Sequence, residues 1–323
     1  MSRRLLAPLV GIILLMCGCG GKSSPGASKR YSVAFSQCNN AEPYRAAQNA
    51  LISKLFARQA DVHLVIADAQ QDNSKQVDQI ETFIRQKPDL LIVAPNERAP
   101  LTEVMGRAYQ AGIPVICLER DILEPNYTTY IRSDNRDIGR MAGQFIVDYL
   151  SKKNGRPRGK IVQIRGLLGV EGEIERYGGA QEVLSKYPDI RTVQEAVADW
   201  IQAKAKDRMI EALRAQSQID VVYAHNDPMA VGAFLAAKEV GREKEMIFVG
   251  VDGLGGPSGG IQKVIDGVLA ATFVYPLCVD KAVEIGSRIM REPGFKPEKV
   301  YTMSATMVTL QNAPELLKAN LSE

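Results

Sequence analysis

At 323 residues the chain is roughly two domains long, enough to bury at least one full core. Its 46% hydrophobic and 24% charged residues exclude a disordered chain, a collagen-like fibre and a polytopic membrane protein. Forty Lys and Arg against 37 Asp and Glu leave a net charge of +3, too balanced for the basic footprint of a DNA- or RNA-binding protein, and the 2 histidines leave few candidates for histidine-based chemistry.

The chain starts with Arg3 and Arg4, an apolar run from Leu5 to Met16 and small residues around Cys19, the layout of a secretory leader. About a dozen apolar residues fall short of the roughly 20 that cross a bilayer. Met16-Cys17-Gly18-Cys19 resembles a bacterial lipobox, which implies cleavage after Gly18 and acylation of Cys19, with Cys17 as a rival acceptor; an ordinary cleaved leader is the alternative. The Gly-, Ser- and Pro-rich stretch from Gly20 to Ser28 reads as a tether and favours the anchor. Cys38, Cys117 and Cys278 have neither CxxC spacing nor an even count, so they read as small apolar fillers, with Cys38 in a polar loop.

From Lys29 short β-branched runs alternate with helical stretches. Tyr31–Phe35, Val62–Ala67, Leu90–Ala94 and Val115–Leu118 read as buried parallel strands, with helices at Tyr44–Gln59, Ser74–Gln86 and Pro100–Ala111 between them. Repeated βα units predict a doubly wound α/β lobe. After Ser133-Asp134-Asn135 the rhythm restarts. Strands are expected at Lys160–Ile164, Thr192–Ala196, Asp220–Ala224, Ile247–Val251 and Leu269–Val274, and helices at Asp137–Lys152, Glu173–Lys186, Lys204–Ala215, Asp227–Gly241 and Leu277–Arg291. The fold class is α/β with a second lobe of the same architecture. Asp134 and Asn135 read as caps of the Asp137 helix, His63 in its strand as core, and His225 as structural support.

In open α/β sheets ligands sit beyond the carboxyl ends of the strands. Those positions hold Glu42, Tyr44 and Arg45 after the first strand, then Glu119-Arg120, Asp199-Trp200, Asn226-Asp227 and Asp252-Gly253. Carboxylates, guanidiniums, an amide and aromatic rings suit a sugar, whose C–H face calls for a flat side chain and whose hydroxyls call for paired donors and acceptors. Each residue also has a bland reading. Arg120 and Arg176 fit surface ion pairs, Trp200 a core, Tyr44 a helix start, Asp252 a turn and Asn226 a helix cap. Position at a strand end, or on the helix facing the cleft, favours the ligand role, and polar Asp199 and Gln202 favour a partly exposed Trp200.

Phe35-Ser36-Gln37, Pro43-Tyr44-Arg45, Ala67 through Gln71, Cys117 through Arg120, Ser133-Asp134-Asn135, Glu175-Arg176, Val222 through Asp227 and Gly250 through Gly253 stand in one order across Tyr31 to Leu310. The ordered set resembles the periplasmic sugar-binding proteins of ABC transporters in the ribose-binding class, most closely members that bind galactofuranose. That resemblance implies a type I binding protein: two doubly wound parallel-sheet lobes joined by three crossover strands near Ile131, Tyr275 and Thr302, closing by hinge motion on one monosaccharide. The implied lobes are 30–131 with 276–302 and 132–275 with 303–312, after a leader to 19 and a tether at 20–29 and before a tail at 313–323. Tyr44 and Trp200 would stack on the sugar, Arg45 would donate to its hydroxyls, Glu119 and Arg120 would form an acid–arginine pair, and Arg176, Asn226, Asp252 and Tyr275 would complete the set, with Glu42 as a further acceptor. Glu119 stands where Asp is usual, Tyr275 where Gln is common and Ala94 where ribose binders carry an amide, which points away from ribose toward a furanose or shorter sugar. The implied partners are the monosaccharide, an ABC permease complex and, through the lipid, the membrane; the implied protein is a periplasmic monomer without enzyme activity, cofactor, metal or nucleic acid.

Single features of the chain bear on rival classes. Gly256-Pro257-Ser258-Gly259-Gly260 fits the G-x-S-x-G elbow of an α/β-hydrolase, but no His follows His225 to serve as its base. Gly253-Leu254-Gly255 starts a glycine run without the acid that a dinucleotide site needs. A related transcription factor would carry a helix-turn-helix before Tyr31, where this chain has a leader. A receptor feeding a membrane kinase or chemoreceptor, and a furanosyl signal in place of a nutrient, share the same mechanism and stay open.

Overall fold

The computed structural model describes residues 30–321. The leader, the lipobox with Cys17 and Cys19, and the tether lie outside the described residues.

One sheet is built from β1 (Tyr31–Gln37), β2 (Val62–Asp68), β3 (Leu90–Val93), β4 (Val115–Leu118), β5 (Thr129–Ser133) and β11 (Val300–Met303), ordered β11-β5-β4-β3-β1-β2 with every pairing parallel. A second holds β6 (Gly159–Arg165), β7 (Ile190–Val197), β8 (Val221–Ala224), β9 (Ile247–Val249), β10 (Ala271–Val274) and β12 (Thr306–Thr309), ordered β12-β10-β9-β8-β6-β7. Its pairings are parallel except that of β12 with β10. Around the first sheet lie α1 (Pro43–Ala57), α2 (Asn73–Gln86), α3 (Arg98–Gln110) and α9 (Val279–Arg291). The second carries α4 (Asn135–Asn154), α5 (Glu171–Leu184), α6 (Gln202–Ala215), α7 (Asp227–Glu239), α8 (Gly260–Ile265) and α10 (Ala313–Leu321). The chain therefore passes between the sheets three times: from β5 into α4, from β10 through Tyr275 into α9, and from β11 to β12. This is the two-lobed type I architecture, with an antiparallel edge added to the second sheet.

Period-two alternation gives each sheet a core on both faces. Val33, Phe35, Leu90 and Ile92 pack on one side of the first sheet, and Ala34, Leu91 and Val93 on the other. In the second, Val162, Ile164, Val222 and Phe248 oppose Ile161, Val221, Tyr223 and Val249.

Three expectations are corrected. β2 is an edge strand, so its outward face is uncovered; His63 is exposed and not core, and Val65 is 42% exposed. The stretch read as a tail begins with α10, whose Ala313 is buried with Leu316 and Leu317 against the second lobe's core. Asn135 is not a cap: the α4 cap is made by Asp134, whose carboxylate accepts from Asp137 N at 2.9 Å.

The second lobe is pinned by an unusually close helix pair. A side chain at Gly139 of α4 would collide with the Arg176 carbonyl, and one at Gly179 of α5 with the Arg136 carbonyl. Bare backbone at both places lets α4 and α5 touch, which fixes where Arg176 stands relative to β5 and the crossover.

Candidate functional site

The ten residues of the implied sugar-binding set line one cavity where the lobes meet, Glu42, Tyr44, Arg45, Glu119, Arg120, Arg176, Trp200, Asn226, Asp252 and Tyr275, joined by Val170 and Gly172, whereas Asp199, Asp227 and Gly253 do not line it. As the lobes stand, these side chains close the space between them to about 20 Å³, little more than room for one water, so a sugar enters only as the lobes part.

From the first lobe, Pro43 opens α1 and places Tyr44 and Arg45 on its first turn, facing inward. Tyr44 donates from its hydroxyl to the Pro276 carbonyl at 2.7 Å and packs its ring 5.1 Å from that of Tyr275. Arg45 is 2% exposed; its Nη2 donates to Glu119 Oε2 at 2.6 Å and its Nη1 to Gln48 Oε1 at 3.0 Å. Glu119 leaves β4 with φ +65°, a left-handed turn that swings its carboxylate back over the strand end. The carboxylate is shared: Oε1 accepts from the Tyr275 hydroxyl at 2.9 Å, while Arg120 Nε stands 3.7 Å from Oε2. Arg45 and Tyr275 are thus its tight partners, and the expected pairing of Glu119 with Arg120 is the looser contact. Arg120 is anchored instead by Nη1 on the Asn96 carbonyl at 2.9 Å. Burial pushes the Glu119 carboxyl up, but Arg45 and Arg120 outweigh it and hold it below the usual range, so it is ionised.

From the second lobe, Arg176 donates by Nε to Asn135 Oδ1 at 2.9 Å and by Nη1 to the His225 carbonyl. Asp199 and Trp200 take φ +51° and +70°, two left-handed residues in a row that turn the indole inward across Gly166. Trp200 is 5% exposed and belongs to the lobe's core as well as to the cavity wall, which corrects the expectation of a partly exposed ring. The guanidiniums of Arg120 and Arg176 lie 5.9 and 5.6 Å from its ring centre. Asn226 serves as helix cap and cavity wall together: its Oδ1 accepts from Met229 N at 3.0 Å and its Nδ2 donates to the Trp200 carbonyl at 3.1 Å. Asp252 follows β9 and is buried beside Asp227, whose carboxylate accepts from Gly253 N at 2.8 Å and from Thr272. Burial and then the Asp227 charge push the Asp252 carboxyl well above its ordinary value; burial lifts Asp227 to about 6.

Glu42 holds Asn39, whose Nδ2 donates to Glu42 Oε1 at 2.6 Å, and so shapes the loop before α1. Cys38 is fully buried, with its thiol pushed up by burial, which suits a filler and not a reactive group. Ser258 is exposed before α8 while His225 is buried, its Nε2 3.1 Å from Gln163 Nε2, so the elbow string has no base beside it. One step behind the wall stand residues whose role sequence reasoning did not foresee: Asn135, read as a helix cap, behind Arg176, and, unnamed at that stage, Asn96 behind Arg120 and Gln48 behind Arg45.

Residues 33–276 match the family model described as a periplasmic binding protein domain. The chain belongs to the periplasmic binding protein family. Among periplasmic binding proteins it is 29% identical over 302 residues to the xylitol-binding protein of Mycolicibacterium smegmatis, covering 93% of this chain and 83% of that one. It is 29% identical over 306 residues to the galactofuranose-binding protein of Escherichia coli, covering 92% and 93%. A solved periplasmic fructose-binding domain of a hybrid two-component system superimposes with a TM-score of 0.85 at 38% identity, over 91% of this chain and 95% of the other.

Proposed function

We propose that this periplasmic binding protein captures a monosaccharide of furanose or pentose type, galactofuranose-like, between its lobes and delivers it to an ABC transporter. The observation that carries the reading is the convergence of three arginines, three carboxylic acids and three aromatic rings from both lobes on one buried cavity. A ring of hydroxyls satisfies that set. Arg120 and Arg176 donate, Asp252 and Glu42 accept, and Tyr44 and Trp200 bound the apolar face of the sugar. Glu119, already bound to Arg45 and Tyr275, sets their positions. Contacts from both lobes bias the hinge toward closure. No bond is broken in this scheme, so it is one of binding and not of catalysis, and it uses no cofactor. The protein works as a monomer outside the cytoplasm, exported by its leader and held to the membrane through lipid on Cys19. Similarity to the fructose-binding domain of a two-component system favours a second reading, in which the closed form is read by a membrane kinase.

The test is thermal melting of the protein from Gly20 onward against D-fructose, D-galactose, L-arabinose, D-ribose, xylitol and nucleosides. A ligand at about a thousandfold over its dissociation constant adds about 4 kcal/mol, a rise of several degrees. One sugar raising the melting temperature alone is the expected result. A panel with no effect overturns the sugar assignment.

A further inference from the structure

We propose that Asn135, which does not line the cavity, is a positioning residue that fixes Arg176 and ties it through Tyr275 to Glu119 and Arg45 of the other lobe. This rests on the sugar-binding reading and adds the device that sets the cavity's geometry. Asn135 is fully buried at the first turn of α4, where the chain has just crossed between lobes, and the helix cap is supplied by its neighbour Asp134. Its amide is oriented by chemistry. Arginine has donors only, so the atom facing Arg176 Nε at 2.9 Å is Oδ1, which turns Nδ2 toward the Tyr275 hydroxyl at 3.3 Å. That hydroxyl accepts from Asn135 and donates to Glu119 Oε1 at 2.9 Å; Glu119 Oε2 takes Arg45 Nη2 at 2.6 Å. The donors in this chain therefore converge on the Glu119 carboxylate, from Arg176 in the second lobe through Asn135 and Tyr275 and from Arg45 in the first, while Asn135 Nδ2 also lies 3.4 Å from the Ser133 carbonyl.

Arg176 is gripped twice, at Nε by Asn135 and at Nη1 by the His225 carbonyl. Two points fix the plane of the guanidinium, and the Tyr275 ring 4.5 Å from Arg176 Cζ backs it. Removing the Asn135 amide would leave Nε without its acceptor and the Tyr275 hydroxyl without its donor. Arg176 would then swing on a single hydrogen bond. The whole relay depends on one side chain that reaches both the second lobe and the crossover.

The chain's 1 tryptophan makes the test direct, because Arg176 lies 5.6 Å from the Trp200 ring and its displacement changes the indole's surroundings. Asn135→Ala is expected to shift Trp200 emission and to raise its acrylamide quenching constant about twofold, with far-ultraviolet circular dichroism unchanged. Asn135→Asp, which keeps an acceptor for Arg176 Nε, is expected to restore the wild-type signal. Should the alanine variant fail to fold, Asn135→Ser, too short to reach Arg176, carries the same expectation. In calorimetric titrations with D-fructose, D-galactose, L-arabinose and xylitol, any sugar that binds the wild type should bind the alanine variant roughly tenfold more weakly. A folded alanine or serine variant with wild-type emission and quenching overturns the positioning role. Failure of the sugar reading looks different: the wild type ignores the panel while Trp200 still responds to Asn135→Ala.

Discussion

Asp252 sits at φ +141°, in backbone space that residues with side chains rarely occupy, at a cost of about 1–3 kcal/mol. Its carboxyl shares a buried site with that of Asp227, and two such groups do not both ionise cheaply. Both acids are raised, so their contribution to folding is full at low pH and is lost as pH climbs through about 6 and beyond. Asp252→Asn removes the repulsion. At pH 8 the variant should melt several degrees above wild type, the gap should close only as pH falls toward the ordinary aspartate value of 3.8, and sugar affinity should fall throughout; equal melting at pH 8 would show that the carboxyls do not oppose each other. Arg120→Ala makes the complementary case. Glu119 keeps Arg45 and Tyr275, so the fold should lose little while sugar binding is abolished, and titration calorimetry on the folded variant checks both halves. The wall residues were legible because chemistry-bearing side chains at strand ends of an α/β sheet have one place to go. Asn135 and Asn96 were not, because they act through Arg176 and Arg120, and spacing along a chain carries no sign of that second step.

At the scale of elements, buried strands were the easiest to read: β3, β4 and β8 are continuous apolar runs covered on both faces. Edge strands were misjudged where an apolar-looking run such as Val62 to Ala67 has only one face covered, a matter of sheet order that no local pattern encodes. The six-residue α8 offers too few turns for a periodic signal, and α10 packs against α8 and β12, elements distant from it in sequence order or too short to be read. Contact between α4 and α5 is the element-scale feature with the sharpest consequence. Gly179→Ala places a methyl group on the Arg136 carbonyl, backbone that does not yield as a side-chain tip would. Overpacking of this kind costs about 1–3 kcal/mol. Urea unfolding should show that loss, and because Arg176 lies one turn earlier on α5, sugar affinity should fall with it. A variant as stable as wild type would mean the helices separate freely.

Across the whole molecule the lobes touch outside the cavity as well. Tyr130 and Arg132 on β5 of the first lobe meet Glu171 and Glu175 at the start of α5 in the second, with Tyr130 donating to Glu171 and Arg132 bridging both acids. Burial lifts the Glu171 carboxyl to about 7, and the opposing pulls of Tyr130 and Arg132 do not restore it. Opening the lobes returns Glu171 to water and to its ordinary value of 4.5, so the closed form holds the proton more tightly. The sign follows: closure is favoured most fully below about 4.5 and loses this support as pH rises through about 7, with a ceiling of about 3 kcal/mol. Small-angle scattering should therefore give a larger mean radius of gyration at pH 8 than at pH 5.5, and the sugar should bind more weakly at the higher pH. Asp227 and Asp252 are the same in wild type and in Glu171→Gln, so the difference between the two proteins isolates Glu171. Glutamine keeps an oxygen to accept from Tyr130 but has no proton to lose. The variant should stay compact at pH 8, with most of the pH slope removed; a slope identical to wild type would assign the effect to the aspartate pair and leave Glu171 a bystander.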